Sequence, residues 1–347
     1  MAFTLAEVEN IFNATIDFHF SRGTIFSQTI QNKPLLKAMQ GKEKTFPGGQ
    51  GNVTVRVKGT YSTTIQGFQH DDTVGYVNPA NIKTANYPYK LIHAGISFSM
   101  HELIKDGIEV NDSIDGQSTS KASDREMTAL ANLLDDKLED MSEGIDRGFN
   151  TMYWRDGTQD SNLIPGVTSI IVDAPSTSGV VGGIDPAANT WWRNRASLLI
   201  DTSTASNLNL VTALQQEIRQ VRKFGGAPKL FLCGSDFLDA FEKELRSKGN
   251  FTLEGWAKSG RIDASVADLS FKGIDLEYDP TLDDLSKSKY GYLIDTKHLF
   301  PMVVAGENMK KHAPARPENK YVFYRAVTYA GALVCRQRNA HEVFSIL

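Results

Sequence analysis

Ser120 to Trp154 carries the longest regular pattern in this chain. Met127, Leu130, Leu134, Leu138, Met141, Ile145, Phe149 and Met152 follow one another at three- and four-residue steps, the spacing that lines one face of an α-helix. Asp135, Asp136, Lys137, Glu139, Asp140 and Glu143 fill the positions between them. Ser123 with Glu126 makes a capping box, and Arg155-Asp156-Gly157 a glycine stop. At about 1.5 Å per residue the helix spans roughly 50 Å, long for a globular domain of this size. Gly144 and Gly148 lie one turn apart, which predicts a bend or a close backbone approach.

The segments before the helix are equally hard to bury alone. Leu5, Val8, Ile11, Phe12, Ile16 and Phe20 recur at helical spacing, but Thr15, Asp17, His19 and Ser21 interrupt the face. A short helix and then an irregular arm is the reading, and the arm's Ile25, Phe26, Ile30, Leu35 and Leu36 have no partner nearby in sequence. After the turn cluster Pro47 to Asn52, Val53, Val55 and Val57 alternate with Thr54, Arg56 and Lys58, a period-two strand. Tyr87 to Met100 reads as a second long strand, with Ile92, Ala94, Ile96, Phe98 and Met100 on one face. The two predict an extended hairpin, and a lone two-stranded hairpin is marginal without a surface to lie on.

Beyond the helix, Leu163 to Asn194 is loop-like and holds Gly182-Gly183-Ile184-Asp185 and Trp191-Trp192-Arg193-Asn194. Residues 207–300 read as an α/β unit. One helix presents Leu210, Leu214, Ile218 and Val221. The buried strand Lys229 to Cys233 leads into a second helix with Phe237, Leu238, Phe241 and Leu245. Strands are predicted near Leu269 to Tyr278, Gly291 to Ile294, Tyr321 to Leu333 and Glu342 to Leu347.

Composition narrows function by exclusion. With 37 basic against 41 acidic residues among 347, and a net charge of −4, the chain is no strongly basic nucleic-acid binder. No run of about 18 apolar residues exists to span a membrane, and the start shows no signal peptide, so intracellular synthesis is expected. Cys233 and Cys335 read as reduced core thiols. Gly48-Gly49-Gln50-Gly51 precedes a strand instead of linking a strand to a helix, which is not phosphate-loop context. His101-Glu102 is followed by Lys105 where a zinc helix needs a second histidine. Asp156, Asp160 and Asn162 lack the spacing of a calcium loop. Trp191-Trp192 suits burial at a domain junction or a stacking platform. No catalytic, cofactor or metal site is assigned. The positive features are architectural and point to large interlocking contacts between copies.

In this order of parts the chain resembles the major capsid proteins of tailed double-stranded DNA phages, the Hong Kong 97-type fold. Residues 182–194, from Gly182-Gly183-Ile184-Asp185 to Trp191-Trp192-Arg193-Asn194, are similar to a stretch that recurs in one branch of these proteins, with Pro186 where that branch often has arginine. The resemblance implies an α+β subunit with an N-arm (1–45), an extended E-loop hairpin (46–100), and a P domain (101–199) holding a spine helix at about 118–155. An A domain (200–305) and returning P-domain strands (306–347) complete it. It implies pentamers and hexamers of an icosahedral virion capsid, not an enzyme, with packaged double-stranded DNA in non-specific proximity and no membrane. A separate scaffolding protein is expected because the arm begins at Met1, with a portal and possibly a decoration protein as further partners. None of Lys58, Lys83 and Lys90 matches the family's cross-linking chemistry, and no cross-link is expected. Candidate assembly contacts are Phe26, Ile30 and Leu35 in the arm, and Tyr61, Phe68 and Tyr76 in the hairpin. Met127, Leu134 and Leu138 in the helix and the pair Trp191 and Trp192 complete them. Two alternatives stand beside this reading: an encapsulin-like compartment shell, and a cytosolic hydrolase or transferase using Cys233, Asp236 or His298.

Overall fold

The computed structural model describes residues 2–4, 31–49, 51–61, 63–76, 81–99, 101, 105, 109–111, 140–177, 179–203, 209–247, 270–312 and 322–347. Phe26, Ile30, Met127, Leu134, Leu138 and the capping box lie outside these residues. The chain divides into two compact units. One holds Met1–Gln31, Leu91–Phe149 and Gly306–Ala330; the other holds Asn32–Lys90, Asn150–Ala305 and Gly331–Leu347.

In the first unit the amphipathic helix is present over residues 140–149. Met141, Ile145 and Phe149, four residues apart, are its buried positions there. A Cβ added at Gly144 or Gly148 would meet nothing within 4 Å, so the predicted close approach is not made among the described residues. The strand Lys90–Ser99 half-buries Ile92, Ala94 and Ile96 and exposes Leu91, His93 and Gly95, the alternation expected of a sheet with one wet face. It pairs with the long strand Val322–Cys335, on which Lys310–Lys311 pairs antiparallel. Phe149 meets Tyr329 edge to face, centroids 5.0 Å apart. The predicted hairpin is corrected here: Lys90–Ser99 is not its second strand. The strand Asn52–Lys58 pairs with Ile82–Pro88 instead. Proline ends that ladder because it has no N–H to donate.

The second unit is built on a six-stranded sheet in the order Arg195–Ile200, Glu342–Ile346, Tyr290–Ile294, Leu230–Cys233, Ile274–Tyr278, Ser270–Phe271. The helices Leu210–Lys223 and Ser235–Ser247 pack Leu210, Leu214, Ile218, Phe237 and Phe241 into one cluster with Phe231 and Phe344. The carboxylate of the buried Glu244 accepts the N–H groups of Leu210 and Val211 at 2.8 and 3.1 Å. It thereby closes the N-terminus of the neighbouring helix, where amide groups otherwise go unpaired. Glu342–Ile346, expected to return with the P-domain strands, is a fully buried member of this sheet. The strand Leu299–Val304 pairs with the end of Val322–Cys335 and, in parallel, with Lys44–Phe46. Pro34–Gln40 is a helix whose Leu35, Leu36 and Met39 are core residues. Leu35 is therefore not the exposed arm contact expected from sequence; the Leu36 N–H is anchored 3.0 Å from Asn150 Oδ1.

One buried charge position tests this core. Glu342 stands opposite Arg195 in the parallel ladder, but the Arg195 guanidinium bonds Glu217. Burial, and then the neighbouring Glu217 carboxylate, push the Glu342 carboxyl up to about 10, against a smaller opposing pull from Arg195. The folded chain thus keeps a proton that the unfolded chain releases above about pH 4.3. Stability falls as pH rises from there towards 10, by up to about 1.4 kcal/mol per pH unit. Glu342→Gln should flatten this slope, so urea unfolding at pH 5, 7 and 9 should find the variant gaining on the parent as pH rises.

Candidate assembly interface

The hairpin Asn52–Lys58 and Ile82–Pro88 runs in unbroken antiparallel register from Asn52↔Pro88 to Lys58↔Ile82. Val53, Val57, Ala85 and Tyr87 are buried. Beyond the paired strands the described residues of the loop leave apolar side chains in water: Tyr61 is 84% exposed, Phe68 65% and Tyr76 95%. Ile65, Val74 and Ile82 are exposed with them. Scattered apolar surface is ordinary, but here several exposed apolar side chains fall on one loop. The loop is shaped by its own polar groups: Gln66 Oε1 accepts the Gly75 N–H at 3.2 Å, and Asp72 accepts the Gln69 N–H at 2.9 Å. Tyr61, Phe68 and Tyr76 thus lie where a neighbour can reach them.

The base of the hairpin is held by the glycine- and tryptophan-rich segment. Val181 and Ile184 bridge to each other across Gly182-Gly183, both in the left-handed region, a conformation that favours glycine. From this turn the Gly182 carbonyl accepts the Asn86 N–H at 2.8 Å. Trp191 covers Gly59: a Cβ there would lie 2.0 Å from the indole ring. Trp192 is buried, its Nε1 donating to the Val181 carbonyl at 3.0 Å. The Tyr87 hydroxyl donates to the Cys335 carbonyl at 2.9 Å, and burial raises its pKa.

Beneath the turn sits Arg338, fully buried. Its Nε donates to the Ile170 carbonyl, Nη1 to the Trp192 carbonyl and Nη2 to Asn194 Oδ1, each at 2.9 Å. Asn194 also bonds both backbone groups of Val172. Burial pulls the guanidinium pKa down, yet an arginine stays charged in proteins.

One sequence expectation changes here. Trp192 belongs to the subunit core, not to an assembly surface, and Trp191, half-buried, lies against Gly59. Sequence reasoning passed over Gly59, Tyr87 and Arg338; the only local signal was the Gly182–Asn194 segment that meets them.

Enzyme chemistry finds little support at the positions weighed for it. Both thiols are buried and free, with Cys335 raised to about 12 and Cys233 raised well above its usual range by desolvation. That is the opposite of an activated nucleophile. Burial keeps His298 below its usual pKa, and Asp236 accepts the Ser288 hydroxyl. Asp156 and Asp160 bond their own loop. Among the described residues no group of three metal-ligating side chains occurs. A cleft of about 400 Å³ is lined by Trp154, Arg155, Asp156, Thr168, Asp173 and Lys287 among others, with neither cysteine nor histidine.

Arg338→Lys loses the planar fork and strands buried carbonyls, so it should lower unfolding stability by about 3–5 kcal/mol, measured by urea denaturation. Gly59→Ala should instead displace Trp191 with small global cost. Its signature is red-shifted tryptophan emission and faster amide exchange confined to 52–58 and 82–88.

No family model matches the sequence, and no curated protein matches it. Solved structures do. A chain of the cyanophage A-1(L) capsid asymmetric unit aligns over 93% of this chain and 95% of its own, with TM-score 0.68 and 15% identity. The capsid of Myoviridae phage XM1 aligns over the same shares with TM-score 0.56 and 11% identity. The mature capsid of bacteriophage PhiM1 aligns over 93% and 90%, with TM-score 0.55 and 11% identity. Identities this low speak to fold. The chain has the fold of these phage capsid subunits, the Hong Kong 97-type fold that its sequence resembles.

Proposed function

We propose that this chain is a major capsid protein, which assembles into the pentamers and hexamers of an icosahedral phage head around packaged double-stranded DNA. The reading is supported by a capsid fold that spans 93% of the chain. The single observation that carries it in the chain's own residues is the clamped hairpin with Tyr61, Phe68 and Tyr76 in solvent. Burying such a side chain is worth about 1.5–3 kcal/mol, and a subunit that keeps them exposed has a neighbour to receive them. The role is structural, and the location is the virion capsid. A scaffolding protein, a portal and a decoration protein are the partners such a shell would use, and synthesis in the host cytoplasm precedes assembly.

Electron microscopy of the purified protein, with its scaffolding partner where one is needed, should find closed shells. Phe68→Asp with Tyr76→Asp should weaken association at least about a hundredfold, leaving soluble subunits whose melting temperature matches the parent's. A discrete monomer or dimer under all conditions would sink the capsid reading.

A further inference from the structure

Lys44, Lys297 and Arg336 are far apart in sequence and gathered by strand pairing. Lys44–Phe46 runs parallel to Leu299–Val304, which pairs on its other side with the strand that ends at Cys335. The Lys44 ammonium lies 4.0 Å from the centroid of the Phe300 ring, and the Arg336 guanidinium carbon lies 4.8 Å from the same centroid. The Arg336 N–H donates to the His298 carbonyl at 2.8 Å, beside Lys297. All three cationic side chains are exposed, whereas Phe300 is fully buried.

Each cation gains from the ring's negative face, by about 0.5–1 kcal/mol at an exposed site, but the two like charges repel. No ion pair offsets them among the described residues. Asp295 is buried, and its oxygens accept the N–H groups of Ala227 and Lys297. His298, 3.9 Å from Asp295, is held towards its neutral form by burial and by the charges of Lys297 and Arg336. The result is a cluster of exposed cations on a chain of net charge −4.

We infer that Lys44, Lys297 and Arg336 form a contact for the phosphates of a nucleic-acid backbone. A protein partner is favoured less, because the cores of protein interfaces are poor in charge and rich in aromatic surface. Here the aromatic ring is already inside the subunit and only cationic heads face outward. Phosphate contacts need no apolar area and carry no sequence information. Two or three of them give weak, salt-sensitive binding, compatible with an acidic coat that lets DNA move past it. The inference rests on the reading of this chain as the wall around packaged DNA.

The test uses full-length subunits and a short double-stranded DNA, with binding followed by fluorescence anisotropy against salt, and electron microscopy of the same preparations. Lys44→Gln with Arg336→Gln keeps long side chains over Phe300 and should make the slope of log K against log salt shallower by about 2. Lys44→Arg with Arg336→Lys should retain the parent slope, and the charge-matched control Lys310→Gln with Lys311→Gln should lose less. An unchanged slope in the glutamine variant, or no DNA binding by the parent, overturns the inference. So does loss of shells in the glutamine variant with DNA binding intact, which would assign the patch to a protein neighbour. If the parent forms no shells, the capsid reading fails whatever the slope shows.

Discussion

The buried Arg338 guanidinium is the point on which the second unit converges. It bonds the Ile170 and Trp192 carbonyls and the Asn194 side chain, joining segments about 150 residues apart in the chain by acceptors that are all neutral. A charge so placed is costly to desolvate and tolerable only when its hydrogen bonds are complete. Those acceptors are therefore held in one arrangement, and with them the Gly182–Asn194 segment. From that segment Trp191 reaches Gly59 and the Gly182 carbonyl reaches Asn86. A polar network deep in the unit thus governs how the hairpin leaves its surface.

This arrangement divides the apolar content of the chain in two. One share fills the cluster around Phe231, Phe237 and Phe344, as in any independent domain. The other share, on the loop 59–81, is left in water, although the strands beneath it are firmly tied. A loop with the same residues on an untethered hairpin would collapse back or wander. Here the strands that carry it are fixed, and under the proposed assembly burial against another copy is the outcome that the hydrophobic effect favours.

Legibility in the sequence followed the range of the forces. The helix Leu210–Lys223 and the strands Asn52–Lys58 and Leu230–Cys233 were readable because their periodicity is local and their neighbours agree with it. The second hairpin strand was misplaced because Tyr87 to Met100 looks continuous in hydrophobicity. Pro88 ends one ladder there and Lys90–Ser99 enters another. Leu35 was read as a contact because nothing nearby in sequence covers it; its partners arrive from distant segments, whereas the burial that the tryptophan pair also suited is what Trp192 shows. Arg338 carried no signal in its own neighbourhood, because the carbonyls it meets lie about 150 residues away.

By itself the sequence determined the alternation of strands and amphipathic helices, the absence of catalytic spacing and, through the Gly182–Asn194 segment, the resemblance to a capsid fold. These are properties of neighbouring residues and of composition. Only the tertiary structure decided which apolar side chains are interior and which remain for a partner, and which cations are buried in carbonyl cages or left facing solvent. Burial and desolvation depend on what packs from far along the chain, and no local pattern encodes that.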